Sequence, residues 1–340
     1  MTAHRQSAPK GSLLAFAVAA TIIGVVAAYG VAVRRKYAPR APEDINRMVA
    51  LPGTAELIAA SGDDIAIVDA ASCSVVRRWA SGGGLVIGVA ASPDGRSVAS
   101  ANFEKNVAIW DPREGLKSRR LLSHKAPVQC VAFSPDSATL AAGARDRAIS
   151  LWNLRSMSLR ATLRGHTDEV ACLAWFPAGR RLVSGAWDSE ILVWDVATSS
   201  VIKRLRAHKR GAVLSVTVSP DGSMFASGGQ DARIFLWDAE TLKLIRSFDG
   251  HKDSVRDVVF LPGGEKLVSG SLDKTIRVWD ARSGEELDRI SFGIRQVNCL
   301  ALTDDGALLV AGGDRKAMRA WSVPELSNAA KGAVERDRSQ

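Results

Sequence analysis

From residue 45 onward, apolar residues come in short runs that are separated by polar, turn-forming residues. The stretch that ends at Trp279 contains four of these runs, at residues 255–261, 267–271, 275–280 and 286–290. Proline and glycine separate the first two runs, and an Asp-Lys pair separates the next two. Runs of this length, rich in Val, Ile, Leu and Thr, are typical of β-strands and too short for ordinary helices. The pattern therefore predicts four strands joined by tight turns.

The four-run pattern returns with a period of 42 or 43 residues. The same position in successive units is marked by Val68, Trp110, Trp152, Trp194, Trp237, Trp279 and Trp321. A constant period of this length is typical of a repeat protein, in which each unit buries its apolar face by stacking on its neighbours. Seven units of four antiparallel strands predict an all-β fold, a β-propeller with seven blades.

The units also resemble WD40 repeats. Complete copies of the WD40 pattern run from Gly165-His166 to Trp194-Asp195 and from Gly250-His251 to Trp279-Asp280. The outer copies depart from it, since Val68 replaces the Trp of the first unit, and Gly82 and Gly293 stand where the central units have His. The resemblance covers roughly residues 45–330 and implies a seven-bladed WD40-type β-propeller over that range.

Three units carry His, Ser, Asp and Trp at matching positions. These sets are His166, Ser184, Asp188 and Trp194; His208, Ser227, Asp231 and Trp237; and His251, Ser269, Asp273 and Trp279. His, Ser and Asp also make up the triad of serine hydrolases, but an active site is needed once and not in every repeat. In the family that the units resemble, each set forms a buried chain of hydrogen bonds. We therefore expect structural tetrads, no catalytic residues and no enzyme activity.

A further unit has an incomplete set. It carries His124, Asp146 and Trp152, but Ala142 stands where the other units have Ser. Without that hydroxyl, the hydrogen-bonded chain is expected to be broken or filled by water.

The last unit departs most from the pattern. Ala311 and Arg315 hold the positions of Ser and Asp, and Asp314 lies one residue out of register. We expect this blade to be the softest, with three firm strands. Any fourth strand is expected from upstream of the first unit or from the C-terminal tail.

The N-terminal region predicts one transmembrane helix. Residues 1–11 form a short tail, residues 12–33 contain no charge, and residues 34–44 form a linker that begins with Arg-Arg-Lys. At about 1.5 Å per residue, the apolar segment is long enough to cross a hydrocarbon core of about 30 Å. The basic residues after it favour a propeller on the cytoplasmic side. The alternative is a signal peptide, cut near Ala28-Tyr29-Gly30, that would export the propeller.

Composition narrows the choice of partners. The net charge is +9, and the basic linker makes the lipid bilayer around residues 12–33 a natural partner. Basic residues elsewhere are interspersed with acids and match no nucleic-acid-binding motif, so no nucleic acid is expected. Cys130, Cys172 and Cys299 occupy matching strand positions and have no metal-ligand spacing, so neither a metal nor a cofactor is expected. Residues 331–340 are polar and predict a mobile tail.

These observations favour a membrane-anchored, non-catalytic scaffold that binds other proteins. In repeats of this type, the residues beside the turn Asp and the loop His gather on one face. The candidate partner-binding residues there are Lys125, Arg145, Trp187, Lys209, Gln230 and Lys252. Aromatic and cationic side chains on one face would select a protein with an acidic surface. Alternatively, Trp187 packs against a neighbouring loop. The alternative function is an exported or envelope-associated sensor domain that binds a small ligand in the central channel, or an assembly partner.

Overall fold

The computed structural model describes residues 44–81, 84–113, 119–122, 124–209, 211–293 and 295–326. Within these ranges the chain forms seven antiparallel sheets, six with four strands and one with three. The sheets follow one another along the chain, and each first strand contacts the first strands of the neighbouring sheets. The all-β, seven-bladed architecture that the period predicts is therefore confirmed.

Each blade runs from an inner strand at the central channel to an outer strand at the rim, in chain order. Blades 1 and 2 contain β1 (Ile45–Ala50), β2 (Glu56–Ser61), β3 (Asp64–Asp69) and β4 (Ser74–Ala80); and β5 (Val86–Ala91), β6 (Val98–Asn102), β7 (Asn106–Trp110) and β8 (Arg119–Leu122). Blades 3 and 4 contain β9 (Val128–Phe133), β10 (Thr139–Ala144), β11 (Ala148–Asn153) and β12 (Ser158–Arg164); and β13 (Val170–Trp175), β14 (Arg181–Ala186), β15 (Ile191–Asp195) and β16 (Ser200–Leu205).

The remaining blades complete the ring. Blade 5 contains β17 (Val213–Val218), β18 (Met224–Gly229), β19 (Ile234–Asp238) and β20 (Leu244–Phe248). Blade 6 contains β21 (Val255–Phe260), β22 (Lys266–Ser271), β23 (Thr275–Asp280) and β24 (Glu286–Ser291). Blade 7 contains β25 (Val297–Leu302), β26 (Leu308–Gly313) and β27 (Met318–Ser322). The middle strands are almost wholly buried and the outer strands are largely exposed, as expected for sheets that are stacked face to face.

Neighbouring blades approach closely where the second strand of one blade carries a glycine. A Cβ atom at Gly143 would lie only 2.6 Å from Val170, the first residue of the next inner strand. The same contact occurs between the last and first blades, where a Cβ at Gly312 would lie 2.7 Å from Ile45. Since real Cβ atoms do not approach this closely, glycine is what lets these sheets stack.

The two ends of the propeller differ in their loops. We call one the histidine end, where the inner strands begin and the loops with His124, His166, His208 and His251 lie. The other is the proline end, where the inner strands finish in turns that contain proline in six of the seven blades. These turns contact one another around the ring, and the Gly53 N–H donates to Asp304 Oδ2 at 2.9 Å between blades 1 and 7. The ring is thus closed at this end as well.

Blade 7 contains three strands within the described residues, and β27 is its outermost strand. After β27, residues 323–326 form a helical turn, from which Val323 and Leu326 pack into the core of the blade. The three firm strands agree with the expectation from sequence. Residues upstream of 44 and downstream of 326, from which a fourth strand was expected, lie outside the described residues.

The predicted end segments are not covered by the structure. Residues 1–11, 12–33 and 331–340, and all of the linker except residue 44, lie outside the described residues. Among the residues that the structure does describe, no helix is both long and apolar enough to cross a membrane.

Candidate functional site

The three predicted sets of His, Ser, Asp and Trp each form a hydrogen-bonded tetrad near the histidine end. In blade 4, His166 Nδ1 lies 2.9 Å from Asp188 Oδ2, and His166 Nε2 lies 2.7 Å from Ser184 Oγ. The Trp194 indole N–H donates to the same hydroxyl at 2.8 Å. Blades 5 and 6 repeat these bonds with His208, Asp231, Ser227 and Trp237, and with His251, Asp273, Ser269 and Trp279.

The direction of these bonds follows from the indole, which can only donate. Because the Trp194 N–H donates to Ser184 Oγ, the hydroxyl hydrogen is free to donate to His166 Nε2. The imidazole then keeps its hydrogen on Nδ1 and donates it to Asp188. Burial alone would raise the pKa of Asp188, but the hydrogen bonds from His166 and from the Thr167 backbone N–H outweigh it and lower that pKa.

Burial excludes the tetrads as hydrolytic sites. Ser184, Ser227 and Ser269 are each 0 % exposed, so no substrate can reach their hydroxyl oxygens. Each hydroxyl also already has both an imidazole and an indole as partners. The tetrads therefore hold the loop that carries the histidine against the turn that carries the aspartate.

The expectation for blade 3 is wrong, because the missing hydroxyl is supplied by another strand. Ala142 lies directly opposite Ser150 in the β10–β11 ladder. His124 Nε2 lies 2.7 Å from Ser150 Oγ, and the Trp152 N–H donates to it at 3.0 Å. His124 Nδ1 lies 3.1 Å from Asp146, so the chain of bonds is complete. In blade 3 the hydroxyl comes from the third strand instead of the second, and its partners are still a histidine and a tryptophan.

Blade 6 carries an additional charged residue in contact with its tetrad. Arg277 is 2 % exposed and lies 3.8 Å from Asp273 and 2.7 Å from Glu286. Burial lowers the pKa of His251, and the bond to Asp273 offsets only part of that shift. Thr275 also donates its hydroxyl hydrogen to Asp273 at 2.6 Å. Of the tetrads, the one in blade 6 therefore has the most extensive connections between its loop and its turn.

Of the three blades without a loop histidine, blades 2 and 7 retain parts of the arrangement. In blade 2 the Trp110 N–H donates to Ser100 Oγ at 2.9 Å, while Gly82 lies outside the described residues. In blade 7 Arg315 has a positive φ of 53° and donates its backbone N–H to Asp44. Asp314, one residue before it, accepts the backbone N–H of Gln296 at 3.2 Å. Asp314 therefore joins the loop to the turn in blade 7, although the tetrad is absent.

The six candidate partner-binding residues all lie at the histidine end. Four of them are exposed, namely Lys125, Lys209, Gln230 and Lys252. The Lys125 and Lys252 backbone N–H groups donate to Asp146 and Asp273, so the tetrads fix the loops from which these two side chains project. Gln230 accepts the Ala212 N–H through its Oε1 atom at 3.1 Å.

The other two candidates are partly engaged within the propeller. Arg145 lies over the Phe103 ring at 4.9 Å and pairs with Glu169 at 3.4 Å. Trp187 is half-buried, and its backbone N–H donates to Glu169. Arg145 thus has a structural role that sequence reasoning did not assign to it.

Exposed charge is distributed unevenly between the two ends. Among the described residues, the exposed cations of the histidine end are Lys105, Lys125, Arg147, Arg164, Arg206, Lys209, Arg233, Lys252, Lys274 and Arg315, against the acids Asp63, Glu104, Asp249 and Asp253. The exposed acids of the proline end are Asp94, Asp136, Asp221, Glu240, Glu265, Glu285, Asp304, Asp305 and Glu325, against the cations Arg96, Arg113, Arg155, Arg180, Lys243 and Arg282. The histidine end is therefore positive and the proline end negative.

Inside the channel, an ion pair that sequence reasoning missed joins blades 1 and 6. Arg47 NH1 lies 3.1 Å from Asp257 Oδ2, with blade 7 between them in the ring. The Asp257 carboxylate raises the pKa of Arg47. Cys130, Cys172 and Cys299 occupy the same position in their inner strands, and burial raises the pKa of the Cys130 and Cys299 thiols to about 12. These thiols are therefore neutral and unreactive.

Comparison with known proteins identifies one family model. The model described as Nucleolar protein 10-like, N-terminal domain matches residues 125–333. That range begins just after His124 and includes blades 3 to 7. A search of curated proteins gave no match.

Proposed function

Since the chain belongs to the family of nucleolar protein 10-like N-terminal domains, which are β-propellers, we propose that it is a scaffold for binding other proteins. We also propose, on separate grounds, that it is held at a membrane. WD40-type propellers are typically protein-interaction scaffolds and are generally non-catalytic. The tetrads support the same role, because they fix the loops from which a binding surface would be built. Fold alone does not define a partner, so the proposal depends on the surface.

The observation that carries the proposal is the positive charge of the histidine end. Lys125, Lys209 and Lys252 project from three loops of one face, and the half-buried Trp187 lies on a turn of the same face. Cations around an aromatic side chain favour an acidic protein surface and accelerate its approach. We propose that such a partner docks there, with Trp187 and Gln230 at the centre of the contact.

Membrane anchoring is a separate part of the proposal and is supported by sequence. Residues 12–33 carry no charge, and Arg34, Arg35 and Lys36 follow at once. This order favours a single-pass anchor with the propeller on the cytoplasmic side. Residues 1–11 would then be the outer tail, residues 34–44 the linker and residues 331–340 a free end.

The docking proposal is tested by charge reversal. The triple variant Lys125→Glu, Lys209→Glu and Lys252→Glu is compared with Arg96→Glu, Arg155→Glu and Lys243→Glu, which makes the same charge change at the proline end. Proteins captured by the full-length chain are quantified by mass spectrometry after matched thermal melts. We expect the histidine-end variant to lose most of its partners and the proline-end variant to keep them. Equal capture by the two variants would contradict the proposal.

Trp187→Ala tests the aromatic part of the surface. If Trp187 is an anchor, the variant melts close to the wild type and loses partners. If Trp187 only packs against a loop, the variant loses stability and captures the same partners. Arg145→Glu is a poor probe, because it would place a second carboxylate against Glu169.

Anchoring is tested with a C-terminal reporter that is active only outside the cytoplasm, and by sequencing the mature N-terminus. We expect an inactive reporter, an intact N-terminus and retention in membranes after alkaline extraction. An active reporter together with cleavage before Val31 would support the exported alternative instead.

A further inference from the structure

The central channel contains a cavity of about 400 Å³. Its wall extends from the middle of the inner strands to their proline ends, and includes Val49, Leu173, Val259 and Leu302. Arg47 and Asp257 form the charged part of the lining. A cavity of this size, whose lining combines apolar side chains with polar groups, is typical of a small-molecule site.

The two charged residues of the lining differ in how far their hydrogen-bonding capacity is used. Asp257 Oδ1 accepts from the Ser215 hydroxyl at 2.8 Å and from the Val258 N–H at 3.2 Å. Oδ2 accepts from the Leu300 N–H at 3.0 Å and pairs with Arg47 at 3.1 Å. Both carboxylate oxygens therefore already have two donors, and Asp257 has little capacity left for a ligand.

Arg47, in contrast, has unused hydrogen-bonding capacity. Its guanidinium has five N–H donors, and among the described residues Asp257 is the one partner with which it pairs. Its side chain is 25 % exposed and lines the cavity, where it can donate further hydrogen bonds. The lining therefore carries one cation with unused donors and one acid whose acceptor capacity is largely used.

We propose that the channel binds a small organic carboxylate, whose carboxylate group is held by Arg47 and whose apolar body lies against Val49, Leu173, Val259 and Leu302. A planar guanidinium with several free donors matches a carboxylate in shape and charge. The aliphatic wall leads away from Arg47 toward the proline end, so the ligand enters from that end, headgroup first. This site depends neither on membrane anchoring nor on what docks at the histidine end.

The test is calorimetric titration of the full-length chain with hexanoate and, separately, with hexanamide, a neutral molecule of nearly the same shape. A blank titration in the same medium is subtracted from each. We expect saturable binding of one hexanoate per chain, and binding of hexanamide at least tenfold weaker. Equal affinities for the two, or no saturable binding of hexanoate, would overturn the proposal.

Two variants locate the site. Arg47→Gln is expected to reduce hexanoate affinity to that of hexanamide. Because this change also removes the counterion of Asp257 and can impair folding, Leu302→Trp is used as a second variant, which fills the cavity and leaves the ion pair in place. Its matched control is Leu159→Trp on the outer strand β12, where Leu159 is 48 % exposed. Loss of binding in Leu302→Trp and its retention in Leu159→Trp support the channel; unchanged binding in Leu302→Trp excludes it.

Discussion

At the scale of single residues, a tetrad depends on where its hydroxyl lies and not on which strand supplies it. Ser150→Ala should cost about 1–3 kcal/mol of unfolding free energy, because it leaves the His124 and Trp152 nitrogens buried without a partner. Adding Ala142→Ser should recover most of that loss, since residue 142 lies directly opposite residue 150. Urea unfolding of the two variants measures the effect. If the double variant is no more stable than Ser150→Ala, a serine at position 142 cannot replace the hydroxyl of Ser150.

A second prediction at this scale compares a central blade with the last one. His208→Ala should cost about 2–4 kcal/mol, because His208 is 0 % exposed and its loss leaves Ser227 and Asp231 without their partner. Arg315→Ala should change stability by no more than about 0.5 kcal/mol, since its side chain is exposed and its hydrogen bond to Asp44 uses the backbone N–H. Thermal melts compare the two. Equal losses of stability in His208→Ala and Arg315→Ala would show that the tetrads do not make the central blades more stable than the last one.

His251 also predicts how stability depends on pH. His251 has a lowered pKa in the folded state, so between that value and about 6.5 the unfolded chain binds more protons. Stability should therefore fall as the pH falls through about 6.5. The pKa of Asp273 is also lowered, so protonation of this carboxylate reduces stability further only below about pH 4. Chemical denaturation at pH 7.5, 6 and 5 measures the effect, and His251→Gln should reduce the slope between pH 6.5 and 5. An unchanged slope would assign the dependence to other groups.

The sequence predicts only those site residues that repeat with the period. The complete tetrads were found because every member recurs at the same spacing. Ser150 was missed because its equivalents are Leu192, Phe235 and Arg277, and no spacing indicates that a hydroxyl can act from the neighbouring strand. A serine among such residues is a signal that could have been noticed. Arg47 and Asp257 were missed because a contact across the channel has no period.

At the scale of elements, blade 7 differs from the others because it has three strands, not four, within the described residues. Its inner strand β25 is buried between blades 6 and 1, and β27 forms the edge within the described residues. Edge strands present unpaired backbone groups and open easily. Amide exchange in β27 should therefore be faster than in β23, the equivalent strand of blade 6. Protection of residues 318–322 equal to that of residues 275–280 would show that another strand covers this edge.

The period was enough to predict the number of blades, but not how the last blade ends. Turn residues and strand lengths are local, so they could be read directly from the chain. Closure of the ring depends instead on contacts between residues at opposite ends of the sequence, such as Gly53 with Asp304 and Ile45 with Gly312. Those contacts involve glycine and backbone groups, which carry no recognisable pattern.

At the scale of the whole molecule, the propeller has opposite charges at its two ends and one ionic connection through its channel. The net charge of +9 gives no sign of this separation, because acids and bases alternate along the sequence and are sorted only when the strands fold. A positive end and a negative end orient an approaching charged partner. The connection through the channel joins blade 1 to blade 6 across blade 7.

Asp257 is the residue on which that connection depends. It accepts hydrogen bonds from Ser215 in blade 5 and from Leu300 in blade 7, and pairs with Arg47 in blade 1. Asp257→Asn should cost about 2–3 kcal/mol, less than the roughly 3–5 kcal/mol typical of a fully buried pair, because Arg47 is 25 % exposed. The amide can still bind Ser215, so the loss reports mainly on the charge.

The double variant Arg47→Met and Asp257→Asn should recover part of this loss, because no buried cation is then left without its counterion. Urea unfolding of the wild type, the two single variants and the double variant gives the coupling energy between the two positions. Exchange of the β1 and β25 amides, measured in the same proteins, shows whether the seam between blades 1 and 7 opens first. If the two single losses simply add in the double variant, Arg47 and Asp257 act independently. Closure would then rest on the glycine contacts and on the turns of the proline end.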